Sequence, residues 1–275
     1  MQGTPSRRRV LAAGTLGVLT TLSGCIAIGS DATTTVTETY DPDGLDSISL
    51  TTTNGALSVE GHRDEPIDVR GHKTAPTEGA LESVTLTASR DDGRLELEAD
   101  PENTPFLFSS DPKLDLEVTA PSTTRIARAE TVSGPITVRN ATGTLHAETT
   151  NGRIDLTNIE GAVVADSTNG TVHITEVDGT ITAETTNGDV AVTLGDGDGD
   201  LHVETTNGAV DVRAPPSLDA TVSVTTTNGD VSIEGFDDSG VTTDGSTDLT
   251  LGEGTRRVRI STTNGDVEVR GDGSP

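Results

Sequence analysis

The chain has almost no aromatic residues: its 275 residues include no Trp, one Tyr and three Phe. Aromatic side chains normally supply much of the buried area of a globular core, so their scarcity argues against such a core. A narrow interior can be filled by Val, Ile, Leu and Ala instead. Abundant Thr, Gly and Asp could also indicate a disordered chain, but the regular repeat described below argues against disorder.

Basic residues are also scarce. The chain has 18 Lys and Arg against 45 Asp and Glu, and its net charge is −27. A protein that binds nucleic acid through the phosphate backbone needs a basic patch, so this balance excludes that class of partner. Strong acidity is expected of a protein that stays soluble in concentrated salt, where charge repulsion is screened. The composition therefore predicts a halophilic source.

Cysteine occurs once, at Cys25, which excludes an intrachain disulfide. The segment before it begins with a twin-arginine pattern, Arg7-Arg8, and continues with a mildly apolar stretch over residues 10–22 that is too short to span a bilayer. Leu-Ser-Gly-Cys at the end of this segment resembles a lipobox, in which the Cys becomes the first mature residue and carries lipid. The alternative is an accidental Cys after an ordinary signal peptide.

The N-terminal features predict a twin-arginine lipoprotein signal over residues 1–24 and a lipid anchor with a Thr-rich linker over 25–44. We expect the protein to be exported and held at the extracellular face of the membrane through Cys25. Removal of the signal leaves 15 basic and 45 acidic residues, a net charge of −30.

Asn-Gly recurs at a regular spacing in the second half of the chain. The spacings between successive Gly residues, counted from Ser133-Gly134, are 18, 18, 18, 20, 21 and 36 residues. A constant period of this size indicates a repeat architecture, which we place at residues 131–275. The six pairs are Asn151-Gly152, Asn169-Gly170, Asn187-Gly188, Asn207-Gly208, Asn228-Gly229 and Asn264-Gly265.

Each repeat contains two short segments in which branched apolar residues alternate with polar ones, as in Val190 and Val192 after one Gly and Leu201 and Val203 before the next Asn. This period of two predicts strands with one buried and one exposed face. We predict an all-β fold, a β-solenoid of stacked two-strand coils of about 18 residues. A series of hairpins with type I′ Asn-Gly turns is the alternative.

The Asn-Gly pairs are predicted to be the structural corners of the coils. Gly accepts a positive φ without steric cost and Asn tolerates the left-handed region, so both suit a sharp turn. Stacked Asn side chains can form a hydrogen-bonded ladder along the stack. The Thr pairs that precede them are expected to form a second ladder. Departures from the period look like insertions at the second turn, including the stretch from Phe236 to Thr255.

Residues 45–130 show the repeat in a blurred form, and we predict irregular β coils that cap the stack. A separate small β domain is the alternative. The stretch over 101–112, with Phe106 and Phe108, is the one apolar and aromatic loop, and we interpret it as a cap or lid over the core.

No pattern of catalytic residues or cofactor ligands is found. The five His lack metal-ligand spacing, and neither a phosphate-binding loop nor a nucleophile elbow occurs. We therefore expect a protein that is not an enzyme and needs no cofactor. The best candidate for a metal site is the loop with Asp196, Asp198 and Asp200, whose carboxylates could bind calcium, but a solvated acidic turn is the simpler interpretation.

Four acidic residues occupy the same place in successive repeats and are expected to form a column of like charges. One explanation is a solvated face of a halophilic protein. The more specific alternative is a diffuse strip that binds cations and bridges to an anionic wall or partner. The four are Glu148, Asp166, Glu184 and Glu204.

The strand and turn residues resemble a known family. The run Leu114-Asp-Leu-Glu-Val-Thr-Ala-Pro121, followed by Ser133-Gly-Pro-Ile-Thr-Val138 and repeated Thr-Thr-Asn-Gly-Asp-Val, is similar to the β-solenoid domains called putative adhesins or toastrack domains. The resemblance covers about residues 45–271. It implies a protein associated with the cell envelope and implies no catalytic residues. With the acidity and the signal, it indicates an exported lipoprotein of halophilic archaeal origin.

Together these features predict a lipid-anchored, non-enzymatic cell-surface β-solenoid with a role in adhesion, envelope structure or ligand sensing. Its expected partners are the membrane and a cell-wall or surface protein or glycan. One alternative is a protein that binds or acts on polysaccharides, although sugar sites usually need aromatic platforms and a pair of carboxylates. A second alternative is a sensory subunit that docks on a membrane partner of an envelope-stress system.

Overall fold

The computed structural model describes residues 31–62, 66–101, 112–236 and 239–271. The predicted signal with Arg7 and Arg8, the lipidation site Cys25, and the loop with Phe106 and Phe108 lie outside the described residues. Within them, no helix is long and apolar enough to cross a membrane.

The described residues form 21 strands and one short helix. The first strands are β1 (Ala32–Tyr40), β2 (Ser47–Asn54), β3 (Leu57–His62), β4 (Ile67–Ala75), β5 (Val84–Asp91), β6 (Arg94–Pro101) and β7 (Lys113–Pro121), with α1 (Glu78–Glu82) between β4 and β5. The next are β8 (Arg125–Ser133), β9 (Ile136–Thr142), β10 (Leu145–Asn151), β11 (Ile154–Glu160), β12 (Val163–Asn169), β13 (Val172–Val177), β14 (Ile181–Asn187), β15 (Val190–Thr193), β16 (Leu201–Asn207) and β17 (Val210–Arg213). The last are β18 (Ala220–Phe236), β19 (Ser239–Leu251), β20 (Arg256–Asn264) and β21 (Val267–Arg270).

All of these strands belong to one hydrogen-bonded sheet, which confirms the all-β prediction. In the middle of the chain, each strand pairs in parallel with the strand two places further on, so β8, β10, β12, β14 and β16 form one row. A second row contains β9, β11, β13, β15 and β17. This pairing is consistent with a β-solenoid, whereas a series of hairpins would pair consecutive strands antiparallel.

The pairing keeps equivalent residues of successive repeats in register. Asn151 is opposite Asn169, which is opposite Asn187, and the apolar positions of the strands align in the same way. The alternating inward residues are almost fully buried, and they are mostly Val, Ile, Leu and Ala. Of the described aromatic residues, Tyr40 and Phe236 are both buried, and they lie in the first and the last part of the stack. A narrow aliphatic interior therefore replaces the aromatic core that the sequence lacks.

The second strand of three repeats contains a bend that the sequence pattern did not reveal. Asn140, Asn158 and Glu176 have φ of 53°, 55° and 56°, in the left-handed region, inside β9, β11 and β13. Such a residue turns the chain locally, so the apolar alternation breaks and resumes one residue later. Asn158 donates from Nδ2 to Oδ1 of Asn140 at 2.6 Å, which links two of these bends.

The strands at both ends of the stack are not in chain order, which corrects the simple picture of coils added one after another. Near the N-terminus, β2 lies between β6 and β8, and β3 lies between β7 and β9. Near the C-terminus, β20 lies between β16 and β18, so the last repeat in the sequence is inserted between the two repeats that precede it. Insertion gives these terminal strands a partner on each side and removes two exposed edges.

Antiparallel strands cover the two ends. At the N-terminal end, β1 pairs with β4, β4 pairs with β7 and β5 pairs with β6. At the other end, β19 pairs with β18, so the stretch from Phe236 to Thr255 supplies a capping strand and is more than an insertion at a turn. Residues 47–62 lie in the same sheet as the regular repeats, because β2 and β3 pair with β8 and β9.

Candidate functional site

The Asn residues of the Asn-Gly pairs form a hydrogen-bonded ladder at the ends of β10, β12, β14, β16 and β20 and inside β18. Each amide Nδ2 donates to the Oδ1 of the preceding Asn in the stack at 2.9 to 3.0 Å. This confirms the expectation of an Asn ladder. In stack order its members are Asn151, Asn169, Asn187, Asn207, Asn264 and Asn228.

The glycines of these pairs pack directly against one another, which corrects the reason that the sequence suggested for them. Gly188 does not have a positive φ, and none of the six Asn lies in the left-handed region. A Cβ atom on Gly188 would instead lie 2.0 Å from the carbonyl oxygen of Gly170 in the adjacent repeat. Glycine is required at Gly188 because two backbones approach closely, and no side chain fits between them. Gly229 and Gly265 make the same close approach and also have a positive φ, of 156° and 158°, so the expected backbone freedom applies to these two.

The hydroxyl groups that precede the ladder bind glycine carbonyls. Thr185 donates from Oγ1 to the carbonyl of Gly170 at 3.2 Å, and the corresponding Thr or Ser of the other repeats does the same. The expected Thr ladder is therefore wrong, because these buried hydroxyls satisfy backbone acceptors instead of one another. Asp189, which follows Gly188, accepts the backbone N–H of Ala209 at 2.8 Å, so this exposed carboxylate also links two repeats.

The predicted acidic column is present on the outer face of the first row. Glu148 is opposite Asp166, Asp166 is opposite Glu184, and Glu184 is opposite Glu204. Burial raises the pKa of Asp166, and the neighbouring charges of Glu184 and Glu148 raise it further, whereas His146 lowers it. The column therefore holds carboxylates that repel one another at neutral pH.

Among the described residues, the basic side chains that contact acids of this column lie at its N-terminal end. Arg128 contacts Glu130 at 2.7 Å and Glu148 at 3.5 Å, and His146 lies 3.5 Å from Asp166. From Ile154 to Val212 the sequence has 12 acidic residues and no Lys or Arg. The middle of the stack is therefore a strongly acidic belt.

Arginine occupies the space next to the loop with Asp196, Asp198 and Asp200. Arg256 is 3% exposed and donates from Nη1 to the carbonyl of Gly197 at 3.0 Å, while Asp200 accepts the backbone N–H of Arg257 at 2.9 Å. Burial lowers the pKa of Arg256, although the charges of Asp200 and Asp198 oppose this shift. Within the part of the chain that the structure describes, the Nε and Nη2 atoms of Arg256 have no hydrogen-bond partner.

The structure does not bring the three Asp of this loop together as metal ligands. Within the described ranges, no group of three or more His, Cys, Asp or Glu side chains is placed to hold a metal ion. Asp196 and Asp198 are exposed, and Asp200 is already bonded to Arg257. His146 and His202 are three repeats apart in one outward-facing row.

We expect calcium to leave the thermal stability of this protein unchanged at fixed high salt. A calcium-specific site would raise the melting temperature by mass action once calcium exceeds its dissociation constant. The buried charge of Arg256 beside the loop disfavours a second cation there. Melting curves with calcium and with chelator test this. A calcium-dependent rise that disappears when all three Asp are changed to Asn would contradict it.

The sequence matches the Toastrack DUF4097 family over residues 15–270, and the chain therefore belongs to this family. The resemblance inferred from the strand and turn residues is thus confirmed. No curated protein matches the sequence.

Several solved structures are similar over most of their length. A "putative adhesin" from Bacteroides fragilis is 11% identical, with a TM-score of 0.47, over 86% of this chain and 96% of that one. A "putative cell adhesion protein" from Clostridium sporogenes is 14% identical, with a TM-score of 0.34, over 86% and 98%. A "putative lipid binding protein" from Parabacteroides distasonis is 12% identical, with a TM-score of 0.33, over 88% and 98%.

Proposed function

We propose that this protein is a lipid-anchored, non-enzymatic component of the cell surface, with a role in adhesion, envelope structure or ligand sensing. The observation that carries the proposal is the uninterrupted parallel stack, which places equivalent outward positions in register over successive repeats. A surface of this kind suits contact with an extended partner, because outward positions recur at intervals of about 4.8 Å and one of them carries an acid in four successive repeats.

The character of the outer surface supports a polar partner. Among the described residues, Val132 is the one large apolar side chain that is exposed, at 48%. The described aromatic residues, Tyr40 and Phe236, are buried, so no aromatic platform for a sugar ring is found in this part of the chain. Charged and hydroxyl groups dominate instead, which favours contacts made through hydrogen bonds and bridging ions over apolar docking or stacking on glycans.

The absence of convergent groups in the described region supports a non-enzymatic role. Catalysis needs a nucleophile, base or metal held together with groups that stabilise the transition state. The titratable side chains of the described strands are instead distributed along columns, one per repeat, as with Glu148, Asp166 and Glu184.

The position of the predicted anchor supports an upright orientation at the membrane. β1 begins seven residues after Cys25 and belongs to the N-terminal end of the stack, where it pairs with β4. The β18–β19 cap lies at the opposite end. Anchoring through Cys25 would hold the N-terminal cap near the lipid and direct the acidic belt and the β18–β19 end outward.

The Asn-Gly pairs are, in this proposal, the corners of two-strand coils of about 18 residues. Support comes from the strand bounds: β10 ends at Asn151 and β11 begins at Ile154, and the later repeats follow the same arrangement except for β18, which continues through Asn228-Gly229. The ladder of Asn side chains and the close packing of Gly carbonyls then make each corner a fixed point of the stack.

Export and anchoring can be tested separately. Replacement of Arg7 and Arg8 together by Lys should leave the precursor inside the cell, because the twin-arginine pair addresses the export route. Cys25→Ser should still be exported but should lose its lipid, and it should partition into the aqueous phase after detergent extraction. Retention of Cys25→Ser in membranes after high-salt washing would contradict lipid anchoring.

The surface role is tested with the same variants in cells that lack the gene. Wild-type protein should restore cell-to-cell or cell-to-surface attachment, and Cys25→Ser, exported but released, should not. Protease added to intact cells should remove the wild-type protein. A hydrolytic activity on polysaccharides, present in the purified wild-type protein, would overturn the non-enzymatic proposal whatever the outcome of the attachment assay.

A further inference from the structure

The Asn-Gly ladder has a chemical vulnerability that its hydrogen bonds control. In an Asn-Gly sequence, the backbone nitrogen of Gly can attack the side-chain amide carbon of Asn, because Gly has no side chain to obstruct the approach. A backbone N–H that is already bonded to a neighbouring strand is held away from this reaction. The ladder therefore reacts only where a Gly N–H lacks such a bond or is released by local opening.

The Gly N–H groups within the stack are bonded. Gly188 donates to the carbonyl of Asn207 at 3.0 Å, and Gly208 donates to that of Asn264 at 3.0 Å. The same bond, from Gly to the Asn of the next repeat, is made by Gly152, Gly170 and Gly265 at 3.1, 3.0 and 3.0 Å. Each of these pairs is thus covered by a further member of the ladder.

Asn228-Gly229 is the last pair of the ladder at the β18–β19 end of the stack, because β20 is inserted between β16 and β18. Asn228 donates from Nδ2 to Oδ1 of Asn264 at 2.9 Å, but no Asn of the described chain stacks on its other side. The antiparallel strand β19 lies there, and its register passes from Thr225–Ser246 directly to Asp230–Asp244. The register of the two strands therefore assigns residues 226–229 no opposite residue on β19, and this β-bulge falls on the Asn-Gly pair.

We propose that Asn228-Gly229 is a site of spontaneous deamidation in the folded protein, whereas the covered Asn-Gly pairs are protected. The Gly229 nitrogen loses its proton and bonds to Cγ of Asn228, the bond from Cγ to the amide nitrogen breaks, and ammonia leaves. Water then opens the cyclic imide and yields aspartate or isoaspartate. The only co-reactant is water, and no electrons are transferred.

The new carboxylate changes the outer end of the stack. Asp230 is opposite Asp244, and Asp266 accepts the backbone N–H of Asp230 at 2.9 Å. A carboxylate at position 228 adds a fourth negative charge beside these three and removes the amide donor that binds Asn264. Deamidation should therefore loosen the β18–β19 cap, the part of the stack that the proposed anchoring directs away from the membrane.

The test is peptide mapping by mass spectrometry after incubation of the folded protein in high salt at mildly alkaline pH. Asn228 should deamidate about tenfold faster or more than Asn187 and Asn264, because those pairs must open locally before they react. In denaturant at the same pH the three rates should agree within about threefold, since local opening no longer limits the rate. Equal rates in the folded protein, or a faster Asn264, would overturn the proposal.

A pair of variants makes the test independent of peptide recovery. Ser133 occupies the ladder position next to Asn151, so Ser is compatible with this place in the stack. Asn228→Ser should abolish the early acidic shift of the folded protein on isoelectric focusing, and Asn264→Ser should leave it. Persistence of that shift in folded Asn228→Ser would show that the reactive site lies elsewhere.

Discussion

Gly188→Ala is expected to destabilise the protein by about 3 kcal/mol or more, a large effect for one methyl group. The added Cβ would lie 2.0 Å from the carbonyl oxygen of Gly170, and backbone atoms cannot move aside as a flexible side chain could. Relief requires the two repeats to separate. Separation weakens the bonds from Gly170 to Asn187 and from Val172 to Asp189, which join these two repeats. The measurement is the free energy of unfolding by denaturant at fixed high salt.

Two variants serve as controls for this prediction. Gly195→Ala adds the same methyl group where no heavy atom lies within 4 Å and φ is not in the left-handed region, so its effect should stay within about 0.5 kcal/mol. Asp189→Asn retains an oxygen that can accept the N–H of Ala209, and it should also change stability by less than about 0.5 kcal/mol. If Gly188→Ala and Gly195→Ala melt at the same temperature, the close packing of Gly188 against the Gly170 carbonyl is refuted.

The stability of the protein should rise steeply with salt, and Asp166→Asn should replace part of that requirement. The column places carboxylates opposite one another, at distances where like charges repel. At about 1 M salt the screening length falls to about 3 Å, and the repulsion largely disappears. Asp166→Asn should therefore stabilise the fold at low salt by about 0.5–1 kcal/mol, and the gain should vanish above about 1 M.

The raised pKa of Asp166 also determines how the stability of the fold depends on pH. Burial and the neighbouring acids raise the pKa of Asp166 in the folded state, so the folded protein binds this proton more tightly than the unfolded chain. The stability contributed by protonation is complete below the unfolded pKa and is lost as the pH rises through the folded pKa. Asp166→Asn should remove this part of the pH dependence.

The matched control for the salt experiment is Asp43→Asn, an exposed acid between β1 and β2 and outside the column. It removes the same charge but relieves no stacked neighbour, so its stability gain at low salt should be smaller than that of Asp166→Asn. Thermal melts of both variants and wild type over a potassium chloride series provide the comparison. Equal gains for the two variants would show that total charge, and not the column, sets the requirement for salt.

The regular part of this protein could be predicted from its sequence because the same local requirements recur in every repeat. Apolar residues at period two identified the buried positions, as with Val190 and Val192. Asn at one fixed offset predicted the ladder, and acids at another predicted the column that contains Asp166. Each of these features depends on a single position per repeat, so it can be read without knowledge of which repeats are neighbours.

The reason for each glycine and the surroundings of Arg256 could not be obtained in this way. Both depend on the distance between repeats: Gly188 is needed because the Gly170 carbonyl approaches it, and Arg256 reaches a loop 59 residues away. A sequence pattern gives the type of residue at a position, but it does not give the atoms that a distant segment places against it.

The sequence by itself determined the period, the strands, the ladder residues and the acidity, and only the tertiary structure decided the order of the repeats. The Asn264 and Asn228 repeats share the motif Thr-Thr-Asn-Gly-Asp-Val and the same alternation of branched apolar residues, so by these features either could pair with β16. The structure places Asn264 against Asn207 and leaves Asn228 outermost, under the antiparallel strand β19. Equivalent repeats offer equivalent pairing surfaces, so their order is set by the caps at the ends, where terminal strands must be covered.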